Sequence, residues 1–388
     1  MKNKNKILLG DTALWVIYFL LSGISLIAVY STIGYSAIVE NSSTPSHIFF
    51  KHLIFVVLSY LVIILISHLN YRHFAKLSLY AYAFTIILLI IAFFIGKDGR
   101  WIEIGHTGFQ PSELAKIVLM VFLARSINAN RESLDKTSSF LLTLLPVLVA
   151  CLIIAPKNLS TAILIFIASY LLLYFGGADR KLWWKGFGLL AVAGAILLIG
   201  AYFLGDTLDI ARSSTWSHRL QAWVNPDPNE LTQENMARMA IARGGLTGTG
   251  IGTTVYGRLM TQAHNDFIYA IIIEEKGLLI AAIPIFLLYA WFYFRCIRIA
   301  THCHGLFGRL CVAGIGTLLY LQAIVNMSVA VGLLPVTGQT LPFISFGGSA
   351  YIFLGLGIGV IQAVASDNKK QKLKEEKIIN EVDEVVKL

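Results

Sequence analysis

The chain has 388 residues, of which 56% are hydrophobic and 14% are charged. Soluble globular domains are typically about 45–50% apolar, so this composition, with a mean hydropathy of +0.71, excludes an ordinary soluble domain. The net charge of +9 comes from basic residues that form no contiguous patch with interleaved aromatic residues, and nucleic-acid binding is therefore excluded. We expect an all-α polytopic membrane protein.

Apolar runs of about 17–25 residues can cross a bilayer as helices, and they predict ten transmembrane helices here. In chain order the runs lie at about 12–34, 50–69, 77–95, 110–127, 138–155, 160–177, 186–205, 277–294, 309–331 and 346–365. No soluble domain or tandem repeat interrupts them. Residues 1–388 are therefore predicted to form a single membrane domain.

The basic residues outside these runs predict the orientation, because Lys and Arg accumulate in short cytoplasmic loops. One set of loops and both termini hold most of the 31 basic residues. Before the tail, this set comprises Lys2, Lys4, Lys6, Arg72, Lys76, Arg125, Arg131, Lys136, Arg180, Lys181, Lys185, Arg295, Arg298 and Arg309. Both termini, including the tail 367–388, are therefore predicted to be cytoplasmic. The first span lacks a small-residue cleavage site and is expected to be retained.

Two cytoplasmic features leave alternatives open. The tail sequence NKKQKLKEEK is either a basic patch that faces anionic lipid or a solvated end of the last span. Cys296, His302, Cys303 and His304 are close in sequence, but their spacing matches no zinc pattern. A solvated loop is expected there.

The fourth outer loop, 206–276, is much longer than the others and contains amphipathic stretches with Trp216 and Trp223. Aromatic residues favour the membrane boundary, and amphipathic helices can lie in its plane. We predict a structured roof over the outer face. The glycine-rich stretch GGLTGTGIG (Gly244 to Gly252) lacks the G-x-G-x-x-G spacing of a nucleotide site and is expected to be a flexible turn beneath this roof.

The stretch TQAHNDFIYAIIIEEKG places charged residues beside the eighth apolar run. Gly277 to Phe294 is long enough to span a bilayer, so Asp266 to Lys276 is predicted as a separate short helix at the outer surface or in a cavity. This placement keeps the carboxylates out of lipid, where each would cost several kcal/mol. Asp266 is either a functional carboxylate or a simple helix N-cap.

A second polar cluster is GRWIEIGHTGFQPSELAKI. Pro111 can begin a helix, and Glu113 and Lys116 then lie three residues apart on one helix face. They form either a structural ion pair or a pair that faces a polar cavity. The second alternative is favoured because Arg100 and Gln110 lie just upstream.

A third segment, NMSVAVGLLPVTGQTLPFISFGGSA, breaks the apolar pattern twice with proline and glycine. Such breaks occur where the backbone lines a cavity, and the hydroxyls of Thr340, Ser345 and Ser349 can then donate to a polar ligand. A helix hairpin with tight turns is the alternative. The residues alone thus predict an outward polar cavity, and they do not distinguish a transporter from an enzyme.

Together the three segments resemble the SEDS (shape, elongation, division and sporulation) family. GRWIEIGHTGFQPSELAKI is similar to its R-W-I…Q-P-S-E-x-A-K element, AHNDFIYAIIIEEKGL to H-T-D-F-I-F-A…E-E-L-G, and LLPVTGQTLPFISFGGSA to L-P…G…L-P-F-x-S-Y-G-G-S. Their order and the ten spans match the family over essentially the whole chain. Thr340 resembles the division branch of the family more than the elongation branch.

The resemblance implies a glycosyltransferase that polymerises peptidoglycan strands from lipid II at the outer face of the bacterial cytoplasmic membrane. It implies an FtsI-like class B penicillin-binding protein and other divisome proteins as partners, at the division septum. A lipid II flippase or a scaffold is the alternative. Asp266 corresponds to the family's essential aspartate and would be the catalytic residue. The substrate-binding candidates are Arg100, Gln110, Glu113, Lys116, Arg219, Arg243, His264 and Ser349, and a divalent cation, Mg²⁺ or Mn²⁺, stays open as a cofactor.

Several positions depart from the family pattern. The family's Pro-Glu before Ala-His is Thr261-Gln262 here, the threonine of H-T-D is Asn265, and the leucine of E-E-L-G is Lys276. The acidic residue expected in the fifth outer element is Asn158. These changes put a metal ligand or a second carboxylate in doubt and leave Asp266 unaffected.

Overall fold

A computed structural model describes residues 8–39, 45–104, 107–204, 213–227, 230–260 and 263–386. Some predicted features fall outside these ranges, namely Lys2, Lys4, Lys6, residues 206–212, 228–229, 261 and 262 of the outer loop, residue 205 of the seventh span and residues 387–388 of the tail.

The described part of the chain is mostly helical. Its α-helices are α1 (Thr12–Val39), α2 (Pro45–His68), α3 (Arg72–Ile95), α4 (Pro111–Ala129), α5 (Thr137–Ile154), α6 (Leu159–Phe175), α7 (Arg180–Leu204), α8 (Ser213–Val224), α9 (Gln233–Gly244), α10 (Tyr256–Leu259), α11 (Ile268–Gly277), α12 (Ile283–Thr301), α13 (Leu306–Ala330) and α14 (Ser349–Val386). A π-helical segment, Leu278–Ala282, joins α11 to α12. A short 3-10 turn, Arg131–Ser133, follows α4.

Each predicted span falls on one of these helices: the first seven on α1 to α7, and the last three on the π-helical segment with α12, on α13 and on α14. Within the described residues, seven helical stretches are long and apolar enough to cross a membrane. The apolar helix α6 is shorter, with 17 residues, and α4 carries Glu113, Lys116 and Arg125. The total of ten membrane crossings stays a prediction.

Helix α13 lies at the centre of the bundle, packed against α4, α6, α12 and α14. Its glycines allow close approach of neighbouring helices: a Cβ on Gly314 would lie 2.8 Å from Leu172, and one on Gly316 would lie 2.7 Å from Cys296. The outer helices instead expose large apolar side chains, such as Leu65 of α2 and Phe94 of α3. Such an exposed apolar belt is expected of helices that face lipid.

Two features of the fold were not predicted from the sequence. Residues Ile102–Ile104 and Thr107–Phe109 form a two-stranded antiparallel hairpin, β1 and β2, in which Ile102 pairs with Phe109. These short segments are rich in β-branched and aromatic residues, which favour strands. In addition, α14 continues without interruption beyond the predicted end of the last span at residue 365 and forms most of the tail.

The predicted helix break at Gly277 is present. Gly277 has a φ of 78°, which is a left-handed conformation that glycine adopts without strain. The preceding helix, α11, lies inside the protein, and Ile268 to Ile273, Glu274 and Glu275 are all buried. Of the two predicted positions, the outer surface is therefore wrong for this helix, and its burial inside the protein keeps the carboxylates of Glu274 and Glu275 out of lipid.

The glycine-rich stretch packs its backbone against the end of α11. The amide of Thr249 donates to the carbonyl of Glu274 at 3.0 Å, and the amide of Gly250 donates to that of Glu275 at 2.9 Å. A Cβ at Gly248 would collide with the carbonyl of Glu275. The stretch forms turns, as predicted, but its backbone is hydrogen-bonded to α11, and its glycines permit close contact between the two backbones.

Gly248→Ala should destabilise the protein more than Gly252→Ala. Both glycines have positive φ values, 80° and 77°, so both alanines carry a left-handed strain of roughly 1–2 kcal/mol. Only Gly248 also meets a neighbouring backbone, since a Cβ at Gly252 has nothing within 4 Å. Overpacking adds about 1–3 kcal/mol. Thermal unfolding in detergent measures the difference, and equal Tm values for the two variants would contradict this packing.

Candidate active site

A polar cavity of about 570 Å³ lies beside the start of α11, within the size range of about 300–1,000 Å³ that is usual for ligand pockets. Its walls come from α2, the hairpin, the starts of α4 and α6, the helix α8 and the chain between α13 and α14. The lining residues are Lys51, Phe55, Arg100, Trp101, Gly108, Gln110, Glu113, Asn158, Thr161, Arg219, His264, Asn265, Asp266, Gly338, Gln339, Thr340, Phe346, Gly347, Gly348 and Ala350. The structure thus brings the three predicted polar segments together.

Asp266 lies at the cavity wall, directly before α11. The cap position of that helix is Phe267, and no side chain caps it, so the N-cap alternative for Asp266 was wrong. The backbone carbonyl of Asp266 accepts a hydrogen bond of 2.9 Å from Asn326, whose amide also donates to the carbonyl of Gln339 at 2.7 Å. Asn326 therefore fixes the Asp266 backbone against the chain that follows α13.

Burial raises the pKa of the Asp266 carboxyl from 3.8 to about 6, although the positive charge of Arg219 acts in the opposite direction. Burial has this effect because it disfavours the charged form. A carboxylate with a pKa near the ambient pH can accept a proton and still be largely ionised. Within the described chain, the Asp266 carboxylate accepts no hydrogen bond, so it is available to a ligand.

Helix α8 contributes Arg219 to the cavity wall; a roof over the outer face stays a prediction. Arg219 donates to the carbonyl of Val336 at 3.1 Å, and its guanidinium lies 5.7 Å from the ring centre of Trp216. Trp223 donates to the carbonyl of Gly332 at 3.1 Å. These contacts hold α8 on the chain between α13 and α14 and place Arg219 at the cavity.

Glu113 and Lys116 form the predicted ion pair, with 2.8 Å between Oε1 and Nζ. Glu113 lines the cavity, whereas Lys116 is buried beneath it with 2% of its side chain exposed. Lys116 also donates to Gln322 of α13 at 2.8 Å, and Gln322 donates to the carbonyl of Thr340 at 2.9 Å. The pair is therefore both structural and part of the cavity wall.

Of the other predicted residues, three line the cavity and Ser349 lies at its edge. Arg100, Gln110 and His264 line the cavity, and the Nε of Arg100 is buried without a hydrogen-bond partner among the described residues. Ser349 donates to the carbonyl of Gly108 at 3.1 Å and thereby ties α14 to the hairpin at the cavity edge.

Arg243 does not line the cavity and binds a buried carboxylate instead. Its guanidinium forms an ion pair of 2.5 Å with Glu274, whose side chain is fully buried. Thr254 and the amide of Val255 also donate to the Glu274 carboxylate, at 2.6 and 2.8 Å. This carboxylate needs a cation because it is buried, so Arg243 and Glu274 anchor the end of α11.

A protein-only metal site does not fit the lining residues. In the ranges that the structure describes, no group of three or more His, Cys, Asp or Glu residues could hold a metal ion. Of the two lining carboxylates, Glu113 already pairs with Lys116. Asn158 accepts from the amide of Thr161 and caps α6. A divalent cation would need further oxygen ligands from a bound phosphate group.

Three polar residues of the site were missed from the sequence. Lys51 lines the cavity, but it lies at the edge of the second apolar run, where a lysine commonly marks the end of a span. Gln322 and Asn326 are uncharged residues inside the ninth apolar run, 309–331, with no proline or glycine break beside them to indicate a cavity. Their spacing of four residues on α13, which places them on one helix face, was a readable signal.

The comparisons with known proteins agree with the three motifs. The model of the cell cycle protein family FtsW/RodA/SpoVE matches residues 11–370. The chain belongs to this family. Its membership confirms the SEDS resemblance and, with the apolar helices, makes it a multi-pass membrane protein.

The family relatives are enzymes of cell-wall synthesis by name. A probable peptidoglycan glycosyltransferase FtsW of Geobacter metallireducens is 31% identical over 81% of this chain and 84% of its own length. The peptidoglycan glycosyltransferase MrdB of Escherichia coli is 28% identical, with the same coverage of 81% and 84%.

Solved structures share the fold. A chain of a peptidoglycan synthase complex that coordinates polymerization and crosslinking superposes with a TM-score of 0.74, at 23% identity, over 92% of this chain and 98% of its own. The rod shape determining protein RodA of Thermus thermophilus gives a TM-score of 0.66, at 22% identity, over 92% of this chain and 97% of its own.

Removing Arg219 should raise the pKa of Asp266 further. Among the described residues, Arg219 is the cation that opposes the effect of burial on this carboxyl, so Arg219→Gln leaves the charged form less stabilised. Infrared difference spectra over a pH series follow the protonation of the Asp266 carboxyl. Its titration midpoint should be near pH 6 in the wild type and higher in Arg219→Gln. The carboxyl band that is lost in Asp266→Asn is the band of this residue. Arg238→Gln is the matched control, because Arg238 acts on Glu234 instead; an unchanged midpoint in Arg219→Gln would contradict the coupling.

Proposed function

We propose that this protein is a peptidoglycan glycosyltransferase that polymerises lipid II into glycan strands at the outer face of the cytoplasmic membrane. The observation that carries the proposal is a carboxylate with a pKa of about 6 in a cavity that is also lined by Lys51, Arg100 and Arg219. A base beside several cations suits a reaction in which a hydroxyl attacks and a pyrophosphate leaves. The names of the family relatives support the same reaction.

In this reaction, a hydroxyl of the acceptor GlcNAc attacks the anomeric carbon of the donor MurNAc. A new C–O bond forms, and the bond to undecaprenyl pyrophosphate breaks with its electron pair on the leaving oxygen. Asp266 accepts the proton of the attacking hydroxyl, because its raised pKa is close to that of an efficient general base. The open Asp266 carboxylate leaves room for this hydroxyl.

The leaving pyrophosphate needs positive charge, which stabilises the transition state most when it is fixed in place. Arg219 is held by Val336 and Trp216, and the buried Nε of Arg100 has no partner among the described residues. These two arginines are the proposed phosphate ligands, since guanidinium groups bind phosphate with charge-assisted hydrogen bonds. Lys116 contributes indirectly by holding Glu113 in the wall.

The proposed partners are an FtsI-like class B penicillin-binding protein, which would crosslink the strands, and other membrane proteins of the divisome. The structural likeness to a chain of a synthase complex that couples polymerization and crosslinking supports such a partner. We place both termini in the cytoplasm, on the basis of the distribution of Lys and Arg.

Asp266→Ala should abolish polymerisation by the purified protein with its transpeptidase partner. General-base catalysis is worth about 10²- to 10⁴-fold, so labelled lipid II should be extended at least about 100-fold more slowly. The wild-type rate should also fall as the pH drops below about 6, because the protonated carboxyl cannot accept a proton. Glu103→Gln, in an exposed acid of the hairpin, is the control and should keep full activity.

Full polymerisation by the Asp266→Ala protein would refute the catalytic role. A protein that only flips lipid II or recruits a transpeptidase would behave differently in cells. In that case Asp266→Asn would still support growth and division when it replaces the wild-type gene product.

A fluorescent fusion should form a ring at midcell, because Thr340 in GQTLPF resembles the division branch of the family. The measurement is live-cell imaging of a fusion that replaces the native protein. Dispersed patches along the side wall would instead assign the chain to the elongation branch, as in RodA.

A further inference from the structure

A second cavity, of about 480 Å³, lies at the opposite end of the helical bundle. Helix α14 connects the two cavities, since Ala350 lines the first and Lys369 lines the second. At a rise of 1.5 Å per residue these positions are about 29 Å apart, which is close to the roughly 30 Å of a hydrocarbon core. The second cavity is therefore at the level of the lipid headgroups on the other side of the membrane.

The second cavity has a strongly basic lining. Its polar and charged lining residues are Asp11, Arg295, Arg298, His302, His304, Asn368, Lys369, Lys372 and Glu375. Both acidic residues have a partner in the cavity lining. Asp11 forms an ion pair with Arg295, and the Oε1 of Glu375 lies 3.6 Å from the Nε2 of His304. Within the described chain Arg298 has no carboxylate partner, and Lys372 has only a distant one at 3.9 Å. An excess of positive charge therefore faces this cavity.

The cavity walls are held by buried contacts. The amide of Asp11 donates to Gln362 at 2.6 Å, and Gln362 donates back to the carbonyl of Asp11 at 3.0 Å. Asn368 donates to the carbonyl of Ile299 at 3.1 Å. The segment before α1, the end of α12 and the middle of α14 are thus tied together, so the cations are positioned before any ligand arrives.

The lipid-facing side of α12 adds an apolar surface next to the charges. Phe294 and Ile297 are 58% and 44% exposed, within one helical turn of Arg298. This combination of a basic pocket and an adjacent apolar helix face matches both parts of a phospholipid. A free anion would contact only the basic pocket and leave the apolar helix face without a ligand.

We propose that this cavity binds the phosphate of an anionic phospholipid from the leaflet at that end of the bundle. Basic pockets between transmembrane helices are known to bind such headgroups. The proposal favours the lipid-facing alternative for the tail, because Lys369 and Lys372 of the tail line a formed pocket. It does not depend on the proposed glycosyltransferase activity.

The test compares two double variants of the full chain in detergent. Arg298→Gln with Lys372→Gln removes two cations from the cavity, and Lys374→Gln with Lys377→Gln removes two from the same tail outside it. Native mass spectrometry measures retention of dioleoyl-phosphatidylglycerol against dioleoyl-phosphatidylcholine. Each Lys or Arg near a headgroup is worth about 1 kcal/mol, or roughly fivefold, so the cavity variant should bind phosphatidylglycerol about 30-fold more weakly.

We expect the control variant to retain the lipid like the wild type. Equal losses in both double variants would overturn the proposal, because they would indicate diffuse attraction to the tail. No preference of the wild type for phosphatidylglycerol would also overturn it. Inorganic phosphate is added in a separate arm; if it displaces the lipid at equal concentration, the ligand is a free phosphate and the assignment to a phospholipid fails.

Discussion

Every charge that lies deep in this apolar bundle must find its partner inside the protein, and this constraint shapes the site. Unpaired charges cost several kcal/mol in lipid, and an ion pair that loses one partner leaves an uncompensated charge. Lys116 satisfies the constraint by contacting Glu113 on its own helix and Gln322 on the central helix. Glu274 satisfies it with Arg243 and the turn that follows α9.

The cavity exists because the chain between α13 and α14 is not helical. Its free backbone carbonyls need donors, and α13 supplies them through Gln322 and Asn326. The same two side chains connect this segment to Lys116 and to the backbone of Asp266. The polar network that makes an irregular segment tolerable at this depth therefore also fixes the proposed base. Asp266 keeps an open carboxylate in a wall whose other groups are mostly satisfied.

Much of this arrangement could be predicted from the sequence, because apolar runs and helix breakers act locally. The apolar runs predicted the helices, and Gly277 predicted the helix break. The three-residue spacing of Glu113 and Lys116 predicted that their side chains lie on one helix face. Other features depend on partners distant in sequence. Burial of α11 and the pairing of Arg243 with Glu274 follow from how α9 and the turn after it pack against α11, which no local pattern encodes. The hairpin was missed because its strands have only three residues each, too few for a clear alternation.

Helix α14 begins beside the proposed active site and ends well beyond the bundle as one uninterrupted rod. Close packing holds it against α2, where a Cβ on Gly359 would approach Ile66 within 2.6 Å. At its first residue, Ser349 ties the helix to the hairpin through the carbonyl of Gly108. Because α14 is uninterrupted, one and the same helix borders the cavity of Asp266 and the basic cavity at the other end of the bundle.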